Sequence, residues 1–221
     1  MKILVIAAHP DDETLGMGAT IKKLSAKNHI VLCVVSEGAS AQYKDKKMIQ
    51  VRKESCKKSA KILGISNIEF LDFPDMQLDS IPQLEINRSL EKIIDKIEPE
   101  IVYTTPSNDL NKDHKIVFES TLVATRPLSS SVKEILSYEL PGLTQTPFSP
   151  NVFVDVTKQI SHKIKAFKMY KSEIENFPHP RSIAAIENLS IQRGIESGLK
   201  NAESFKLIKK ISDAKMDKIY S

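Results

Sequence analysis

Apolar residues fall into short runs and helical stripes that alternate from the start of the chain. Ile3-Leu4-Val5-Ile6-Ala7-Ala8 is one continuous run and Ile30-Val31-Leu32-Cys33-Val34-Val35 another. Runs of this length, rich in β-branched residues, predict strands buried on both faces. Residues 68–71 and 101–103 predict two more strands. Between the strands, apolar positions recur at helical spacing. One helix is expected over about 16–27. Ile49, Cys56, Ala60 and Leu63 make a second stripe that Gly64 stops, and Ile86, Leu90, Ile93 and Ile97 a third that Pro99 ends. This alternation predicts a Rossmann-like α/β fold. Its sheet is mostly parallel with helices on both faces, because right-handed crossovers place them there.

Further along, a helix is expected over about 113–125, a strand at 135–138, a strand at 152–156 and a helix carrying Ile160, Ile164 and Phe167. Residues 140–150 hold Pro141, Pro147, Pro150 and Gly142 and read as a loop. Residues 182–197 predict a helix, and 205–211 fit either a last strand or a helix. At 221 residues the chain suits one domain on the usual ~100–200 residues each. Its core sheet is expected over about 1–139, and a substrate-shaping β/α extension over about 140–221.

Composition narrows the class. Hydrophobic residues make up 41% and charged residues 27%, and the net charge is only +4 with acidic and basic residues interspersed. That balance argues against a nucleic-acid partner. Two cysteines cannot build a disulfide framework, so Cys33 and Cys56 read as small core residues of a reducing compartment. The first apolar run is cut short by charge and no stretch reaches the ~20 apolar residues of a membrane span. A cytoplasmic location is the default expectation. The pattern leaves the oligomeric state open and admits a homo-oligomer.

Candidate chemistry gathers after two strands. The first runs into His9-Pro10-Asp11-Asp12-Glu13, the fourth into a polar segment ending Asp113-His114. In an open parallel sheet both segments fall at the carboxyl edge, where ligands bind. Imidazole and carboxylate together suit zinc, whose catalytic sites keep three protein ligands and one open position. His9, Asp12 and His114 are the candidate ligands. Asp11 is left beside the ion as a candidate general base for the attack of water on an amide or ester carbonyl. Glu13 and Asp113 are candidates to orient the histidines. The competing reading is a charge cluster favoured by a helix dipole. Gly16 and Gly18 are assigned to close packing of helix on strand, since the acidic turn would repel a pyrophosphate.

Ala8-His9-Pro10-Asp11-Asp12-Glu13, followed by Gly16-Met17-Gly18, resembles the signature of the PIG-L/LmbE-like family of zinc-dependent deacetylases of N-acetylated amino sugars. Asp113-His114 is similar to the family's second metal motif. Ser36-Glu37-Gly38, and Arg52 and Glu54 ahead of Leu63-Gly64, extend the resemblance over at least residues 2–125. The resemblance implies zinc ligation by His9, Asp12 and His114, Asp11 as base, and Arg52 as a substrate-holding residue. One departure stands out. Many members carry a histidine where this chain has Asn111, which can donate a hydrogen bond to an oxyanion but carries no charge.

His179, flanked by Pro178 and Pro180, is the other candidate for that catalytic task, and Arg181 a candidate to pair with a substrate phosphate or carboxylate. The expected activity is therefore zinc-dependent removal of an N-acetyl group from an amino sugar, with iron(II) admissible in the same ligand set. Two alternatives remain. One is a zinc amidase acting on a non-sugar amide or thiol conjugate. The other is a non-catalytic sugar or nucleotide binder.

Overall fold

The computed structural model describes residues 1–142 and 146–212. Parts of the expected extension, 143–145 and 213–221, lie outside the described residues. Within these bounds the chain forms one seven-stranded sheet flanked by helices.

Strand β1 (Lys2–Ala7) is buried from its second residue on. Its side chains alternate between two cores, with Ile3, Val5 and Ala7 on one face and Leu4, Ile6 and Ala8 on the other. This is what a continuous apolar run encodes, because successive Cβ atoms of a strand point to opposite faces. The sheet grows outward from β1. β2 (His29–Ser36) and β3 (Asn67–Phe73) lie on one side, β4 (Ile101–Thr104) and β5 (Glu134–Tyr138) on the other. All five are parallel, in the order β3-β2-β1-β4-β5.

The helices are α1 (Asp12–Leu24), α2 (Lys47–Leu63), α3 (Gln83–Ile97), α4 (Lys112–Ala124), α5 (Ile160–Phe167) and α6 (Ile183–Ser197). Gly64 closes α2 at φ 83°, the left-handed cap its place predicts. Helix α1 begins at Asp12, four residues before the expected start. The chain turns sharply at Asp11 (φ 125°), and the acidic Asp12 and Glu13 occupy the first turn, where the helix dipole favours them. The helix is kinked at Met17 (φ −145°), and beyond the kink the Ala19 and Thr20 amides donate to the buried Glu203 carboxylate at 3.1 and 2.6 Å. Gly16 packs where a Cβ would come within 2.3 Å of the Tyr138 ring on β5, the expected close packing of helix on sheet, whereas Gly18 faces Lys163 of helix α5.

Residues beyond 140 continue the same sheet instead of standing beside it. β7 (Ala202–Lys210) pairs antiparallel with β5, and β6 (Val152–Asp155) pairs antiparallel with β7, making the edge order β5-β7-β6. The segment that fitted either helix or strand is thus a strand, and the sheet does not end near 139. Local periodicity missed this because both partners of β7 lie before α6, far from it in sequence. No described helix is long and apolar enough to cross a membrane.

Candidate active site

The β1–β4 pairing assembles the site. Ile3 lies opposite Ile101 and Val5 opposite Tyr103 in parallel register, so the two strands deliver their carboxyl ends together. His9 and His114, 105 residues apart in sequence, meet with Nδ1 of the first 3.2 Å from Nε2 of the second. Asp12 joins them. Its Oδ2 accepts from the His9 amide at 2.8 Å and lies 3.6 Å from His9 Nδ1, while Oδ1 lies 3.4 Å from His114 Nε2. All three residues are more than nine-tenths buried.

The outer nitrogens of both rings face carboxylates. His114 Nδ1 lies 2.8 Å from Asp109 Oδ2, and His9 Nε2 lies 3.1 Å from Asp113 Oδ2 and 3.3 Å from Asp75 Oδ1. A carboxylate there draws the ring proton to its side, leaving the inner nitrogen as a lone pair. Two bare lone pairs 3.2 Å apart repel unless a cation or a proton sits between them. Ligand bonds of ~2.0–2.1 Å around a tetrahedral ion put donors ~3.3 Å apart. The two ring nitrogens are 3.2 Å apart, an Asp12 oxygen lies within 3.4–3.6 Å of each, and one donor atom from each residue lies within 4.8 Å of the others, so the donor set fits a metal ion.

Without an ion the carboxylates would hold protons on these rings. Burial lowers the His9 pKa, but hydrogen bonds to Asp113 and Asp12 outweigh it and raise it to about 10. For His114, burial is likewise outweighed by Asp12 and Asp109, and the value rises to about 9. Asp12 is held well below the ordinary carboxylate range, its burial overcome by the two histidines. A second set, His9, Asp75 and Asp113, also lies within ligand reach. There, however, both Asp113 oxygens already accept backbone amides, from Met76 at 2.9 Å and Leu78 at 3.2 Å.

Asp11 is fully buried, and neither carboxylate oxygen has a hydrogen-bond partner. Burial raises its pKa against the opposing pull of Arg52 and Arg181. The positive φ of this non-glycine residue is strain of the kind that clusters at functional sites. Arg52 on α2 is 2% exposed. Its Nη2 donates to Pro10 O at 2.7 Å and lies 3.5 Å from Asp11 Oδ1, and its Nη1 pairs with Glu173. Arg181 also reaches Glu173, at 2.8 Å, and keeps about a third of its side chain exposed.

The remaining expected residues find distinct places. Asn111 is the N-cap of α4, its Oδ1 accepting from the Asp113 amide at 2.9 Å, which leaves the amide NH2 as its donor. His179 is exposed in the loop before α6, and its Nδ1 accepts from the Arg181 amide at 3.1 Å. Accepting there requires the ring proton to sit on Nε2. Asp113 orients a histidine as expected, but Glu13 does not. Its carboxylate accepts from the Asp11 amide, the Thr14 hydroxyl and the Tyr170 hydroxyl, and burial raises its pKa to about 7.

Sequence reasoning missed Asp109, Asp75, Tyr170 and Glu173. Asp109 could have been found, since a carboxylate five residues before His114 in one tight segment is a natural orienting partner. The other three meet the site only through the fold.

Three comparisons place the chain among known proteins. The PIG-L family model, described as GlcNAc-PI de-N-acetylase, matches residues 4–125. The uncharacterized deacetylase YaiS of Escherichia coli strain K12 is 33% identical over 77% of this chain and 90% of its own. Diacetylchitobiose deacetylase of Thermococcus kodakarensis is 25% identical over 94% of this chain and 83% of its own. Among solved structures, N,N'-diacetylchitobiose deacetylase from Pyrococcus horikoshii, complexed with its inhibitor, superposes with a TM-score of 0.81. It is 23% identical and covers 94% of this chain and 84% of its own, a likeness of fold.

Proposed function

This chain belongs to the PIG-L family, and on that premise we propose that it is a metal-dependent hydrolase removing the N-acetyl group from an amino-sugar substrate, with release of acetate and a free amine. The observation that carries the reading is the pair of ring nitrogens, His9 Nδ1 and His114 Nε2, converging 3.2 Å apart beside Asp12. The naming of its relatives as deacetylases supports the reaction class.

His9, Asp12 and His114 would hold the ion. Zinc is the metal proposed, and iron(II) suits the same two-histidine, one-carboxylate set. When bound, such an ion polarises a carbonyl and lowers the pKa of water. Asp109 and Asp113 fix the tautomers of the two rings. Asp11, whose buried carboxylate has no hydrogen-bond partner, takes the proton of the attacking water and passes it to the leaving nitrogen. Its raised pKa suits a group that must hold that proton for a time. The Nε2–H of His179 or the amide of Asn111 stabilises the oxyanion. Arg181, with its partly open guanidinium, meets an anionic group on the substrate. Arg52, spent on Pro10, Asp11 and Glu173, bears on the substrate by holding Asp11.

An acetate-release screen across N-acetylated sugars, with added zinc or iron(II), tests this. Wild type is expected to release acetate, and His9→Ala to lose bound metal and turnover together. Asp11→Asn should keep the metal and lose about 10²–10⁴ in turnover. Loss of the ion from Asp11→Asn would make Asp11 a ligand. Metal-free protein that binds a sugar nucleotide and releases no acetate would favour the non-catalytic binder.

A further inference from the structure

Four charges of alternating sign run inward from the surface behind the metal ligands. Asp11 pairs with Arg52 at 3.5 Å, Arg52 with Glu173, and Glu173 with Arg181 at 2.8 Å. Glu173 is the centre of this chain. It lies in the segment between α5 and α6, is 2% exposed, and uses both oxygens. Oε1 takes Arg52 and the Ser172 hydroxyl, the latter at 2.8 Å, and Oε2 takes Arg181.

Burying such a carboxylate is costly, and a buried ion pair is weak grounds for stability, since well-packed apolar residues often do as well. The feature that asks for an explanation is what the carboxylate connects. Through Arg52 it reaches Pro10 and Asp11 in the turn after β1. Through Arg181 it reaches the loop held by its own hydrogen bonds, among them the Arg181 amide to His179 Nδ1, Glu175 N to Arg181 O, His179 N to Asn176 O and Ser182 N to His179 O. Asp11 has no hydrogen bond of its own to hold its carboxylate in place.

We propose that Glu173 is a positioning residue that sets the Asp11 turn and the His179–Arg181 loop in register with each other, giving the two arginines different tasks. Arg52, buried and ion-paired with both Asp11 and Glu173, steadies the base. Arg181, tied by one nitrogen and otherwise open, is left to meet the substrate. The inference rests on the deacetylase reading for its catalytic meaning, although the linkage itself is independent of it. A misplacement of about 1 Å in such a constellation can cost about 10²-fold in rate.

Glu173→Gln keeps the shape and removes the charge. Two measurements on the metal-loaded protein decide the matter. The first is steady-state acetate release. Glu173→Gln should lower kcat about tenfold or more and raise KM, with metal content unchanged, and Glu173→Asp should recover part of the loss. The second needs no activity. Hydrogen exchange should quicken in both 7–14 and 173–182 of Glu173→Gln while the rest of the sheet stays protected. A kcat within about twofold of wild type, or exchange that rises in 173–182 alone, overturns the proposal. Should wild type release no acetate from any sugar, the functional reading fails and the exchange experiment still judges Glu173.

Discussion

The junction of β4 with α4 and the loop between α5 and α6 each present a histidine near a helix start, yet they prepare it in opposite ways. At the first, the Asp109 carboxylate lies on His114 Nδ1, and the ring turns Nε2 inward among buried groups. At the second, a backbone N–H occupies His179 Nδ1, and the ring carries its proton outward on Nε2. The same side chain is prepared as a candidate metal ligand in one place and as a hydrogen-bond donor in the other. The partner of the far nitrogen decides which.

The sharpest way to break this contrast is to delete each ring. His114→Ala is expected to lose the metal and at least about 10³-fold in turnover, whereas His179→Ala should keep the metal and lose about 10²–10³, the usual worth of one oxyanion donor. Metal analysis beside acetate release separates them. If His179→Ala also sheds the ion, the two imidazoles do the same work and the contrast is void.

A subtler change leaves the rings in place and alters the partner. Asp109→Asn should weaken metal affinity about 10–100-fold by loosening the His114 tautomer, read by competition with a chelator. Unchanged affinity would show that His114 needs no carboxylate behind it.

The smallest expected effects concern the two helix caps. Asn111 Oδ1 accepts from the Asp113 amide, and Ser182 Oγ from the Ala185 amide at 3.1 Å. Replacing either with alanine should cost about 1 kcal/mol of stability in denaturant titration. Only Asn111→Ala should also lower metal affinity, because His114 rides on the first turn of the helix it caps. Equal effects of both variants on the metal would remove the distinction between the two regions.

Much of this was legible residue by residue. The alternating cores of β1 follow from an unbroken apolar run, and the Gly64 cap from its place after Leu63. His9, Asp12 and His114 were legible as candidate ligands because both charged segments follow strands, His9 and Asp12 soon after β1 and His114 in the first turn of α4 beyond β4. Tyr170 and Glu173 were not, since nothing in their own neighbourhood marks them apart from an ordinary segment between helices. Tyr170 reaches Glu13 across 157 residues. The β7 strand was ambiguous for a related reason, because its pairing with β5 and β6 is a property of partners far away in sequence.

Taken alone, then, the order of residues determined most of the elements, the parallel part of the sheet and the candidate metal ligands, because periodicity and the placement of charge after strands are local. Only the tertiary structure decided how the charges are shared. It set Asp109 and Asp113 behind the rings, turned Asn111 into a cap, drew Arg52 inward and made Glu173 the tie between two loops. Those assignments depend on which groups meet across the sheet edge, where burial makes every unpaired charge expensive and leaves one consistent pattern of partners.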